Sequence, residues 1–274
     1  MLSVLWEYPF MLSAWIAGLI AASIGGAVGS LIVVRRIAFM SGGIAHAVLG
    51  GIGLALWIDR SYWWCPPIVG ALIVAIIAAM LIARAPRLWA TEDSLIAAIW
   101  ACGMALGIIL ISKTPGYTAE LSSILTGNIL WVTELHILLL SLLACITALF
   151  LFFRFQHIKL VIFDTDEALL QGIRVQRVYT QLLLLVAISV VALLHIVGII
   201  LVMCMLTLPQ LAARLFTERL CSMMIGSMLL SMASVSIGLL LAYHCDWPAG
   251  ASIALVATGI YFISVGIKKL QLIP

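Results

Sequence analysis

Apolar residues in this chain do not alternate with polar ones at the period of a strand or a surface helix; they come in long runs. Nine such runs fall near residues 11–34, 38–58, 67–84, 95–112, 135–153, 178–194, 196–213, 222–243 and 249–267. Most hold about 18 to 22 residues, which at helical rise crosses a hydrocarbon layer of about 30 Å. Inside such a layer every backbone polar group must be satisfied within its own segment, so the runs predict helices. The expected fold is all-α, a polytopic membrane bundle of eight to nine transmembrane helices. The count turns on 178–194 and 196–213, parted only by His195. They read either as two spans or as one long bent helix followed by a short one.

The one long polar break, 154–177, holds a short helix with its own start and stop signals. Asp164 is placed to accept from backbone donors of the first turn, and Glu167 three residues later completes a capping-box pattern. Asp166 and Glu167 complement the helix dipole, Ala168 lies inside the turn, and Gly172 is placed to close it in a left-handed conformation. Otherwise no linker or composition shift divides the chain, so residues 1–274 read as a single transmembrane domain.

Positive charge chooses between the two counts, because Lys and Arg accumulate in short cytoplasmic loops. With nine spans and the N-terminus outside, Arg35, Arg36, Arg84, Arg87, Arg154, Lys159, Arg174, Arg177, Arg214, Arg219, Lys268 and Lys269 all lie inside. Only Arg60 and Lys113 of the 14 basic residues lie outside. Eight spans would put Arg214, Arg219, Lys268 and Lys269 on the wrong face. Nine is preferred, and 154–177 is then cytoplasmic. Trp57, Trp63, Trp64, Trp131 and Trp247 sit at outer boundaries, where amphipathic rings favour the headgroup layer.

Composition agrees: 274 residues, 65% hydrophobic, 9% charged and a mean hydropathy of +1.27 exclude a soluble globule. A net charge of +3 follows from the inside bias and calls for no nucleic-acid partner. The N-terminal residues carry Glu7 and no basic stretch, so the first span is expected to serve as the insertion signal. The six cysteines lack a C-x-x-C pair; Cys65 and Cys245 fall on the outer side, within reach of a disulfide in an oxidising compartment, though free thiols are expected.

Ionisable groups at bilayer depth are costly, hence informative. All 11 carboxylates fall in loops or within a turn of a span end, which disfavours a proton-coupled carrier with a buried acidic relay. No G-x-x-x-x-G-K-[ST] loop occurs, so any nucleotide motor is another subunit and the chain itself is expected to be no enzyme and to hold no cofactor. His46 is the main exception. Its helical face reads Gly42, His46, Gly50, Gly53, a stripe cleared of side chains where either another backbone packs or a cavity opens. The imidazole is a transient ligand for a divalent metal, or a packing histidine bonded to a carbonyl. His136, His195 and His244 lie near the outer surface and His157 in the cytoplasm, without metal-site spacing. Pro209 should kink its span and free a carbonyl that a gate or an ion could use, unless the kink serves packing alone. Gly25 with Gly29, and Gly103 with Gly107, are G-x-x-x-G pairs expected to pack within the chain.

Taken in order, these segments resemble the membrane permease of ABC importers for zinc, manganese and iron, the ZnuB-like and TroC-like proteins. The resemblance is carried by Arg35-Arg36 followed by 41–53, by Glu92-Asp93, by Leu125 to Leu130, by Phe163-Asp164 through Gly172-Ile173, by Val197-Gly198 through Pro209 and Ala212-Ala213-Arg214, and by Pro248 to Ala251. It implies a type II ABC importer permease fold and a pore of two permeases, this chain with a second copy or a paralogue. It also implies two ATPase subunits that bind ATP and seat Asp164, Glu167, Ala168 and Gly172, an extracytoplasmic metal-binding protein, and a bacterial inner membrane. His46 matches the family's pore histidine. The aspartate that accompanies it four residues earlier is Gly42 here, which tilts the site from manganese towards zinc. A cobalamin or siderophore permease, or a carrier acting alone, are the rival readings.

Overall fold

The computed structural model describes residues 9–62, 66–85, 91–114, 127 and 129–271. Eleven α-helices are found among them: α1 (Pro9–Val34), α2 (Phe39–Tyr62), α3 (Pro67–Ala83), α4 (Glu92–Ser112), α5 (Glu134–Phe163), α6 (Thr165–Leu170), α7 (Val175–Val197), α8 (Ile199–Met205), α9 (Leu208–Arg214), α10 (Leu220–Cys245) and α11 (Ala249–Gln271). Seven of them (α1, α2, α4, α5, α7, α10 and α11) are long and apolar enough to cross a membrane. The 17-residue α3 and the broken segment Ile199–Arg214 complete the nine apolar segments.

Two boundaries differ from the sequence reading. His195 does not part the sixth and seventh runs, for α7 continues through it to Val197 and the break comes at Gly198, whose φ of 84° and ψ of 164° suit glycine alone. Helix α5 runs ten residues past the expected 153 to Phe163. Leaving the hydrocarbon changes which side chains a helix tolerates; it does not end the backbone ladder.

The chain divides into two compact units, and α5 and α7 contribute to both. The first unit comprises 1–38, 122–145 and 193–274. In it α10 packs on α1, α9 and α11. Its contacts are those of a membrane bundle, where close backbone approach and hydroxyl bonds replace hydrophobic drive. Gly26 faces the Met228 backbone, Gly238 faces Ile253, Ser30 Oγ lies 3.2 Å from Ser227 Oγ, and Trp15 Nε1 donates to Ser236 Oγ at 3.0 Å. A Cβ on Gly127, with φ of 69°, would collide with the carbonyl of Val197 beside the α7–α8 break.

The second unit comprises 39–121 and 146–192. There α2 lies between α3 and α4. Gly51 meets Gly70 of α3, Gly50 meets Gly103 of α4 and Gly53 meets Gly107, so both helix crossings are glycine on glycine. Gln176 Nε2, in the first turn of α7, donates to the Ala83 carbonyl at 2.5 Å and caps the end of α3. Helices α4 and α5 bury little of themselves: Leu106, Ile108 and Ile109 on α4 and Leu138, Leu142 and Leu149 on α5 are exposed. Apolar side chains over whole helix faces suit a lipid surrounding or a second protein.

Candidate functional site

The glycine stripe on α2 is partly filled and partly open. The α4 backbone occupies the level of Gly50 and Gly53, while a cavity of about 580 Å³, walled by Ala47, Gly50, Val74, Ala78, Gly103 and other apolar groups, opens beside it. The Gly103 and Gly107 pair therefore packs within the chain, against α2, and Gly25 with Gly29 packs against the backbone at Met205 and Leu206.

His46 is half-buried on this face and stacks on Trp100 of α4, ring centres 4.6 Å apart and planes at 25°. Its Nδ1 lies 2.8 Å from the carbonyl oxygen of Gly42, one turn back. A carbonyl only accepts, so Nδ1 carries the proton and the neutral ring keeps its lone pair on Nε2, the arrangement that suits a metal ligand. The ring is thus held by its bond to the Gly42 carbonyl and by stacking on Trp100. Trp100 was not legible from sequence, because nothing in the spacing of α4 marks which of its faces meets α2.

Pro209 does break its helix. Segment α8 ends at Met205, Thr207 leaves helical geometry at φ −132° and ψ −56°, and Pro209 stands in the first turn of α9. Lacking an amide hydrogen, Pro209 cannot bond the carbonyl four residues earlier, that of Met205. That carbonyl is not left for an ion: Gln210 Nε2 donates to it at 2.7 Å and also to the Gly25 carbonyl of α1 at 2.8 Å. Gln210 is fully buried, and its Oε1 has no protein donor. Nearby, Cys204 donates to the Ala254 carbonyl at 3.7 Å, and both Cys204 and Met205 are core residues.

The short polar helix is capped at both ends. Asp164 takes extended geometry and its carboxylate accepts from the Glu167 amide at 2.9 Å. The capping box is only half made. The Asp164 amide is already bonded to the Leu160 carbonyl, because α5 runs straight into the turn, and Glu167 instead accepts from Gln171 Nε2 at 2.8 Å. At the far end Gly172 has φ of 73°, its amide donates to Leu169 and the Ile173 amide donates to Ala168, the paired closure of a Schellman motif. Ala168 is fully buried, whereas Leu169 and Leu170 are 61% and 84% exposed.

At the first turn of α5 the backbone N–H of Thr133 donates to His136 Nδ1 at 3.2 Å, and the Thr133 hydroxyl lies 3.0 Å from the same nitrogen. The His136 ring meets His195 of α7 edge on, centres 5.5 Å apart. Residues 59 positions apart carry no local signal that could have announced this. Among the described residues no three His, Cys, Asp or Glu side chains gather as a metal cage. Cys245 is a free thiol, and Cys65 lies outside the described residues, as do Trp63, Trp64, Leu125, Thr126 and Asn128.

Comparison with known proteins matches residues 7–268 to the ABC 3 transport family. A probable metal transport system membrane protein of Chlamydia trachomatis serovar D is 36% identical over 96% of this chain and 89% of its own length. The manganese transport system membrane protein MntC of Halalkalibacterium halodurans is 34% identical over 94% of this chain and 87% of its own. Among solved structures, PsaBC from Streptococcus pneumoniae in complex with Fab superposes with a TM-score of 0.84 at 28% identity, covering 96% of this chain and 93% of that one. With a family match across nearly its whole length and relatives above 30% identity over nine-tenths of it, this all-helical, multi-pass membrane chain belongs to the ABC 3 transport family.

Proposed function

We propose that this chain is the pore-forming half of an importer for a divalent transition metal, powered by ATP hydrolysed on a separate subunit. The observation that carries the reading is the capped knob at 164–172. It is a rigid helix of one and a half turns held between two long apolar helices, with Leu169 and Leu170 projecting as apolar anchors for a soluble protein. The ATPase seats there, a second copy or a paralogue completes the pore, and an extracytoplasmic metal-binding protein delivers the cargo across a bacterial inner membrane. The name of the solved PsaBC structure and those of the metal-transport relatives support this assembly.

The cargo is zinc or manganese, with iron as a third candidate. The relatives named for manganese favour that ion, whereas the ligand chemistry at His46, a lone imidazole nitrogen with Gly42 where a carboxylate would harden the site, favours zinc. Uptake of Zn²⁺, Mn²⁺ and Fe²⁺ in competition, by proteoliposomes holding this chain with its ATPase, decides among them. In the same vesicles His46→Ala is expected to raise the metal concentration for half-maximal uptake about tenfold, a loss of about 1.4 kcal/mol, with ATPase assembly unchanged. Unaltered uptake would return His46 to a packing role. Metal uptake driven by a proton gradient in vesicles lacking the ATPase would overturn the whole reading in favour of a carrier.

A further inference from the structure

His46 is not the only imidazole placed for a metal. His136, one turn into α5, and His195, in the last turn of α7, come from helices far apart in sequence and meet within the first unit with ring centres 5.5 Å apart and planes at 63°. In a zinc site the nitrogen lies about 2.0–2.1 Å from the ion, which puts a ring centre about 3.2 Å from it. Two rings on one tetrahedral ion then stand about 5.2 Å apart, close to the separation found here. By the alternation of spans, the start of α5 and the end of α7 face the outer side. His195 is exposed and His136 half-buried, so both are open to a small solute.

We infer that His136 and His195 form a second, two-imidazole contact for a divalent transition-metal ion, an outer station for the cargo; the inference rests on the transport reading above. Binding at Nε2 requires a change of tautomer at His136. As the rings stand, the Thr133 amide donates to His136 Nδ1, which places the ring proton on Nε2. The hydroxyl oxygen of Thr133, 3.0 Å from the same nitrogen, offers an acceptor. When an ion takes Nε2, the proton moves to Nδ1 and is received by that hydroxyl, at the cost of the bond from the Thr133 amide, which must turn away. Two neutral nitrogens, completed by water, make a site loose enough to release its ion, as a conduit requires. No third His, Cys, Asp or Glu closes it among the described residues, which keeps it from becoming a trap.

The competing account is that His136 merely caps α5, and one substitution separates the two. Glutamine at this third helical position accepts from the Thr133 amide as imidazole does, yet is a poor transition-metal ligand. The test uses the untagged chain assembled with its ATPase in nanodiscs without nucleotide, probed with Zn²⁺ by equilibrium dialysis and with Cu²⁺ by electron paramagnetic resonance. The native complex is expected to show a two-nitrogen imidazole pattern. His136→Gln and His195→Ala should each abolish it and weaken Zn²⁺ binding tenfold or more, and the double variant should lose little further, because one ion needs both rings. Zn²⁺ binding unchanged in His136→Gln, or losses that multiply in the double variant, would overturn the pair. Binding needs no ATP, so the outcomes separate: ATP-driven uptake with unaltered binding in the variants sinks this inference alone. Intact two-nitrogen binding without any ATP-driven uptake sinks the transport reading.

Discussion

A proline in a buried helix strands a carbonyl, and in this chain the remedy stands next to it. Gln210 spends both of its amide hydrogens on backbone, one on the carbonyl that Pro209 leaves open and one on α1, which ties the break to the first helix. At this depth no water competes, so each stranded carbonyl costs about 1–3 kcal/mol. Gln210→Leu is expected to lower the stability of the detergent-solubilised chain by about that amount per bond, read as an earlier thermal unfolding transition. A transition at the native temperature would mean that another donor serves Met205 and Gly25. Residue chemistry of this kind is half legible in a sequence. Pro209 announces the break and His46 its candidacy, because both are anomalies against an apolar background. Gln210 and Trp100 act through helices 185 positions away in one case and 54 in the other, and no spacing rule reaches them.

Among elements, the knob and the glycine crossings were the most readable, since caps and small-residue patterns are local. Asp164 and Gly172 perform the roles their types suggest, while Glu167 does not, because α5 had already claimed the amide it would have met. The left-handed backbone at Gly172 is closed to proline, whose φ is fixed near −65°. Gly172→Pro is expected to leave the chain able to bind its ATPase but to cut uptake at least tenfold while ATP turnover falls less than twofold, the mark of lost coupling. Full uptake in that variant would remove the knob from the transmission path. Helix ends were the least readable, as α5 shows: charged residues such as Arg154 and Lys159 mark where lipid stops, not where hydrogen bonding does.

On the scale of the whole molecule, the nine apolar segments were legible as runs, while the contact partners of the spans were not, since runs of leucine and isoleucine look alike. The broken segment Ile199–Arg214 is the weakest span by length, and orientation depends on it. In a cysteine-free background, Gln171→Cys is expected to react with a membrane-impermeant maleimide only from the cytoplasmic side and Asp246→Cys only from outside. Labelling of both from the cytoplasmic side would mean that Ile199–Arg214 does not cross, and labelling of Gln171→Cys from outside would remove the outer placement of the His136 and His195 ends. The interleaved make-up of the first unit has one more consequence, and it concerns synthesis. Trp15 on α1 finds its bond to Ser236 across 221 positions, and α10 is the main neighbour of α1. A ribosome therefore delivers the first helix to the bilayer long before its companion exists, and that helix must wait, sheltered by lipid or by the insertion machinery, until nearly all of the polypeptide has followed it.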